Sequence, residues 1–270
     1  MKPEVFKNIL IEVKNIGLCT VRLWKPEDGP KIYDQVEQHN WAPWLAAKPE
    51  TLSKRAKVFP DGQLIIENIE DNKILATLST NRFNWDGIPE HLPNWDTVAG
   101  KPPDYSNTYQ PEGNTLDLVS MNVHPDYLGK GLPHLIIDQI KERAKVLEIT
   151  HLIGDFRPYE FGKFKSEDNN WQISFEEYCN MTQDDGNLPY DAWLRNLVRN
   201  GMAPLKVDRQ AMTVAVSLDK FDRYRLTYNP KKWKQVRPGL WECGEVGQWK
   251  VNNIEAIYKE SNLWGRIPME

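Results

Sequence analysis

Gly129-Lys130-Gly131 stands between an alternating apolar stretch and an amphipathic one, an order that can hold an anion. Before it, residues 115–123 (TLDLVSMNV) place Leu116 and Leu118 on one face and Val119, Met121 and Val123 on the other, as in a β-strand. Pro125-Asp126 marks a turn. After the glycines, Leu132, Leu135, Ile136, Ile140, Ala144 and Leu147 recur close to the helical period. Glycines let backbone N–H groups approach an oxyanion closely. The first turn of the helix adds unpaired donors and the positive end of its dipole. Lys130 adds a mobile positive charge, so a ligand carrying phosphate is expected here.

Two nucleotide signatures are absent. No Ser or Thr follows Lys130, as a P-loop requires, and His134 stands where a dinucleotide fingerprint has its third glycine. What remains, VHPDYLGKGLPHLI, resembles motif A of the GNAT superfamily of acyl-CoA N-acyltransferases, which grips the pyrophosphate of coenzyme A. Val123, Pro125, Tyr127, Gly129, Gly131 and Leu132 match that motif. Leu128 and Asp126 fill positions where Arg or Gln is common, and Pro133 replaces a small residue. Proline is tolerated in a first helical turn but removes one N–H donor. The resemblance implies an α/β (α+β) fold, with a mixed central sheet, splayed strands and flanking helices. It also implies acetyl-CoA as co-substrate without a metal, bound by Met121, Asn122, Val123, Leu128, Gly129, Lys130, Gly131 and Leu132. On this reading residues 1–217 form the acyl-CoA-binding domain and residues 218–270 a β-rich C-terminal extension. The plainer alternative is a helix-capping turn with no ligand.

Acyl transfer needs a polarised thioester carbonyl, a deprotonated acceptor and a protonated leaving thiolate. In GNAT enzymes the pantetheine arm lies along the motif strand as an added strand. A backbone N–H near Asn122 and Val123 would then serve the developing oxyanion. Asp117, Asp155 and Glu160 are the candidate bases, and Tyr159 and Tyr178 the candidate acids. Arg157 reads either as a substrate clamp or as an ion pair. His124 reads as a turn residue and His151 as a structural one.

The phrases WDG (85–87), SMNVHP (120–125), FRP (156–158) and DAWLRNLVR (191–199) are similar to a GNAT-like subgroup associated with polyketide and peptide-synthetase loading. Its decarboxylating members use a Thr just after strand five and a His in the WLRxHxR helix. Tyr159 and Leu197 occupy those places here, so decarboxylation is not implied. The expected function is transfer of an acetyl group to a small amine or a carrier-bound acceptor. The alternatives are a catalytically altered CoA-binding or accessory protein, and a decarboxylase or S-acyltransferase that loads an acyl carrier protein.

The chain's 270 residues carry a formal net charge of −4 and no block of five Lys or Arg, which argues against a nucleic-acid partner. No apolar run reaches the roughly 18 residues of a membrane span, and the N-terminal stretch lacks a signal-peptide core. Cys19, Cys179 and Cys243 are isolated, and the five histidines share no metal-binding spacing. A cytoplasmic enzyme without membrane contact is expected.

The elements that must position these residues follow from pattern. Strands are expected at 18–24, 62–68, 73–83, 115–123, 151–156 and 211–218. Helices are expected at 30–41, at 51–58 with Thr51 as cap, from 132 onward, and at 189–201. Residues 84–113 form a long irregular insertion with Trp85, Trp95, Tyr105 and Tyr109. A loop of that length suggests a flap over the acceptor, or a structural wrap. The tail from Tyr228 carries Trp233, Trp241, Trp249 and Trp264, more in keeping with core than with a ligand cage.

Overall fold

The computed structural model describes residues 7–102, 105–167 and 172–270; the first six residues and two positions of the insertion lie outside these. Contacts group the chain into two units. The first contains the chain up to Pro93, Thr97–Gly154 and Pro268–Glu270, and the second contains Asn94–Asp96 and Asp155–Ile267.

The first unit is built on strands β1 (Ile9–Val13), β2 (Gly17–Leu23), β3 (Gln63–Asn68), β4 (Ile74–Phe83), β5 (Thr115–Val123) and β6 (His151–Phe156). They lie side by side in chain order; every neighbouring pair is antiparallel except β5 and β6, which are parallel. The hairpin of β3 and β4 matches the expected one, and β1 is an additional strand that the sequence reading missed. Helix α1 covers residues 29–40. It starts as α-helix, widens into a π-turn at Tyr33–Glu37 and closes as α-helix. Helix α2 (Pro49–Val58) starts two residues before the expected Thr51, because Pro49 has the φ a first turn needs. Thr51 Oγ1 instead lies 3.0 Å from the Tyr105 hydroxyl. Trp24, Ile32, Val36, Leu52, Ala56, Ile65 and Ile74 pack α1 and α2 onto the sheet. Each of the Val, Leu and Ile side chains contributes about 1.5–3 kcal/mol when fully buried.

Helix α3 (Leu132–Val146) follows the glycine turn and packs on β3, β4 and β5. Its buried residues include Leu132, Ile136, Ile137, Ile140 and Ala144, the face that the periodicity marked. Described parts of the insertion are packed within the first unit. Trp85 is 4 % exposed and donates its indole N–H to the Ile88 carbonyl, Asn81 holds the Val98 carbonyl at 2.6 Å, and Gln110 N–H bonds the Arg82 carbonyl. Trp85 also meets His151 edge-on, which makes His151 part of a wall.

The second unit begins with short helices α4 (Phe161–Glu167), α5 (Phe175–Asn180) and α6 (Ala192–Arg199). Asp191 caps α6 through the N–H groups of Trp193 and Leu194, and Gly201 stops it at φ +84°. Then come β7 (Ala203–Ser217), α7 (Leu218–Thr227), β8 (Lys234–Arg237), β9 (Leu240–Glu242), β10 (Gln248–Val251) and β11 (Glu255–Ile267). Within this unit the strands run β7-β11-β10-β9-β8, all antiparallel. The strand expected at 211–218 reaches back to Ala203. Its partner β11 comes from the tail, where Trp249 and Trp264 are fully buried. Among the described residues no helix is long and apolar enough to cross a membrane.

Candidate functional site

The glycine turn has the shape that its sequence demands. Gly129 and Gly131 sit at φ +73° and +76°, where L-residues with a Cβ are strained, and Gly131 is the N-cap of α3. A Cβ on either would point into open space. The constraint is therefore backbone conformation, and the surface over the turn is clear for a ligand. The Leu132 side chain is buried while its N–H, in the first helical turn, has no intrahelical partner. Lys130 is exposed, as is Leu128 at 63 %. Asp126 is neutralised by Lys73 at 3.1 Å. His124 accepts the Asp126 N–H through Nδ1, so it is a turn residue as expected.

Upstream of the turn, β5 loses its β6 partner. The two strands pair only through Thr115–Leu118 with His151–Gly154, and β5 runs on to Val123 paired to β4 alone. This is the splay that the GNAT resemblance implies. Ser79 pairs with Ser120 and Thr80 with Leu118, so Val119 is an extra, bulged residue where the strands part. The His124 N–H bonds the Leu75 carbonyl at 2.8 Å. In an antiparallel ladder this makes Val123–Ala76 a non-hydrogen-bonded pair, so Asn122 exchanges its backbone bonds with Thr77. The N–H groups of Met121 and Val123 therefore face the edge that β6 leaves. Of the two residues expected to offer a backbone N–H, Val123 turns its N–H to that edge, as Met121 does, whereas Asn122 turns its N–H toward β4. The Val123 carbonyl already accepts from Asn40 Nδ2 at 3.0 Å.

Behind this strand lies a polar cluster. Asn122 donates its side-chain amide to Glu37 and accepts the Trp41 indole N–H. Glu37 is the last residue of the π-turn, 2 % exposed, and also accepts the Ala47 N–H at 2.8 Å. Arg55 on α2 is 8 % exposed, and Asp117 on β5 is fully buried with neither carboxylate oxygen hydrogen-bonded. Burial pushes Asp117 well above the ordinary carboxylate range, with Arg55 opposing. Burial raises Glu37 too, against the Ala47 N–H, Arg55 and Asn122. Burial lowers Arg55, against Glu37, Tyr105 and Asp117. Of these groups sequence reasoning identified Asp117 as a base and Asn122 as a cofactor contact. It missed Glu37 and Arg55, which read as ordinary helical residues. Only the widened helical turn, a feature frequent at functional sites, marks Glu37 out.

The remaining candidates belong to the second unit. Tyr159 is 55 % exposed, its hydroxyl raised by burial and by Glu160 and Asp191. Glu160 Oε2 accepts the Ala192 N–H at the start of α6. Tyr178 is buried and donates to Asp191, which makes it a structural group instead of the expected acid. Asp155 is 5 % exposed and its carbonyl accepts from Asn262. Arg157 is no surface ion pair: it is held at 2.6 Å from Glu245 and 2.7 Å from Glu260 inside the unit. Leu197 is fully buried in the core. Among the described residues no group of three or more His, Cys, Asp or Glu side chains is arranged to hold a metal.

No protein-family model matches the chain, and no curated protein matches it in sequence. Solved structures do. The loading GNATL domain of CurA from Lyngbya majuscula is 18% identical, over 70% of this chain and 86% of its own, with a TM-score of 0.57. The GphF GNAT-like decarboxylase, in complex with isobutyryl-CoA, is also 18% identical, over 71% of this chain and 90% of its own, with a TM-score of 0.57. At that identity the likeness speaks for architecture alone, and by it the chain has the GNAT fold.

Proposed function

We propose that this chain is an acyl-CoA-dependent acyltransferase that moves an acetyl group from acetyl-CoA to a small amine or a carrier-bound acceptor. The observation that carries this reading is the continuity of the open β5 edge with the glycine turn and the α3 N-terminus. Gly129, Lys130, Gly131 and Leu132 would hold the pyrophosphate through backbone donors, the lysine charge and the helix dipole. Met121 and Val123 would pair with the pantetheine arm, and one of their N–H groups would polarise the thioester carbonyl. Coenzyme A supplies the activated thioester. The protein supplies alignment and donors fixed before the reaction begins. The acid of the sequence reading, Tyr159, belongs to the second unit and is half-exposed.

A second reading, a CoA-binding module with altered chemistry, draws on Pro133, which removes one N–H from the anion site, and on exposed Leu128 in place of a basic residue. A thermal-shift scan with acetyl-CoA, malonyl-CoA and free CoA, followed by assays of CoA release with amine acceptors, separates the two. Ligand at 100 times its Kd stabilises by about 2.7 kcal/mol. Binding together with acceptor-dependent release supports the transferase, and binding without release for any amine or carrier supports the module.

A further inference from the structure

Between α2, β4 and the Val119 bulge lies a cavity of about 10 Å³, lined by Arg55, Thr80, Asn81, Tyr105 and Val119 among others. That is room for one water-sized group. Most of its polar walls are engaged. The Thr80 hydroxyl donates to the Gly62 carbonyl, Asn81 Nδ2 donates to the Val98 carbonyl and to Thr108, and the Tyr105 hydroxyl meets Thr51. Arg55 differs. It is nine-tenths buried, and its Nε has no hydrogen-bond partner.

Two carboxyl groups, Glu37 and Asp117, act on this cation through space, and their surroundings differ. Glu37 accepts two N–H bonds, from Ala47 and Asn122. Asp117, across the ladder from Asn81, accepts none. Glu37 as a carboxylate balances Arg55. A second buried negative charge on Asp117 would have neither a counter-charge nor a donor. Where two carboxyl groups have such unequal environments, one keeps the proton.

We propose that around Arg55 the Glu37 side chain is the carboxylate and Asp117 is a neutral acid, and that the adjoining cavity is a donor-lined subsite for one substrate oxygen, from a carbonyl or a carboxylate. Of the groups that line the cavity, the Arg55 guanidinium is the one with capacity to spare, and it is a donor. A cationic ammonium is therefore the wrong occupant and an oxygen acceptor is the right one. That the oxygen belongs to a substrate rests on the acyl-transfer reading; the proton on Asp117 does not.

The test uses full-length protein labelled with ¹³C at the aspartate γ-carbon and titrated by NMR from about pH 5 to 9, a window above the ordinary aspartate pKa. The Asp117 signal is the one missing from Asp117→Asn. It should stay at the protonated position through neutral pH, and Asp117→Asn, which like the neutral acid carries no charge, should melt close to wild type there. An Asp117 signal already ionised at neutral pH overturns the assignment. Arg55→Met should weaken acetyl-CoA binding about tenfold and leave free CoA unchanged, as loss of one charged hydrogen bond would. Equal loss of both ligands, or loss of neither, overturns the oxygen subsite. If Arg55→Met does not fold, Arg55→Lys, which keeps the charge but lacks the Nε donor, gives the same readout of acetyl-CoA against free CoA. Free CoA failing to bind wild type would overturn the acyl-CoA reading and with it the substrate subsite, while the titration would still decide the proton.

Discussion

The Asn122 side-chain amide donates to Glu37 Oε2 across 2.6 Å, tying the motif strand to the end of the π-turn in α1. Its oxygen accepts the Trp41 indole N–H at 2.7 Å, so one side chain satisfies a buried carboxylate and an indole together. Asn122→Ala leaves Glu37 short of a donor in a site that water does not reach. Loss of about 2–3 kcal/mol is expected, read as a lower urea midpoint with an unchanged slope. A change under about 0.5 kcal/mol, the range of ordinary surface substitutions, would show that the pair does not support the strand.

Stability should also depend on pH through Asp117. Its folded-state pKa is raised by burial, so the native state binds more protons than the unfolded chain once the pH exceeds the unfolded value of about 3.9. That contribution is fully present below the unfolded pKa and is lost as pH rises toward the folded one. Asp117→Asn removes the slope. Relative to wild type, its thermal midpoint should rise from pH 4 to pH 8; a relative fall over that range would reverse the assigned sign.

The insertion gives a third expectation. If residues 84–113 cover the acceptor, their amides should exchange more slowly with CoA and acceptor together than with CoA alone. The packing of Trp85, Val98 and Ala99 already protects part of the segment. The informative amides are those near Tyr105, a non-glycine residue at φ +66° whose hydroxyl meets Thr51. Full protection by CoA alone would put the segment on the cofactor side.

Malonyl-CoA should not lose carbon dioxide on this protein. Leu197, where the decarboxylating enzymes carry His, is fully buried and can neither donate nor titrate. Tyr159 offers one donor where two groups act. Carbon dioxide released from labelled malonyl-CoA well above a Gly131 variant's background would mean that another pair has taken over the chemistry.

Much of the first unit was legible because its signals are local. The β5 alternation, the positive-φ glycines and the apolar face of α3 each follow from a few neighbouring residues. Glu37 and Arg55 were not legible, since a charged residue on an amphipathic helix reads as solvated until the helix widens or its neighbour arrives from another strand. The direction of the Asn122 backbone N–H was not legible either, because it depends on ladder register. The tail was underestimated for a similar reason. Its short polar segments acquire a core only when β11 pairs with β7, a partner about 40–60 residues away in the chain.

The central claim, that acyl-CoA lies on the β5 edge with its phosphates at the Gly129–Leu132 turn, is tested most directly by a thermal-shift titration of free CoA and acetyl-CoA. Wild type is compared with Gly129→Val/Gly131→Val. Both glycines hold positive φ on an exposed turn, so the double variant should fold while its backbone donors are displaced. The account predicts a concentration-dependent rise in the wild-type midpoint for both ligands and none in the double variant. An equal rise in a folded double variant, or no rise in wild type at millimolar CoA, would contradict it.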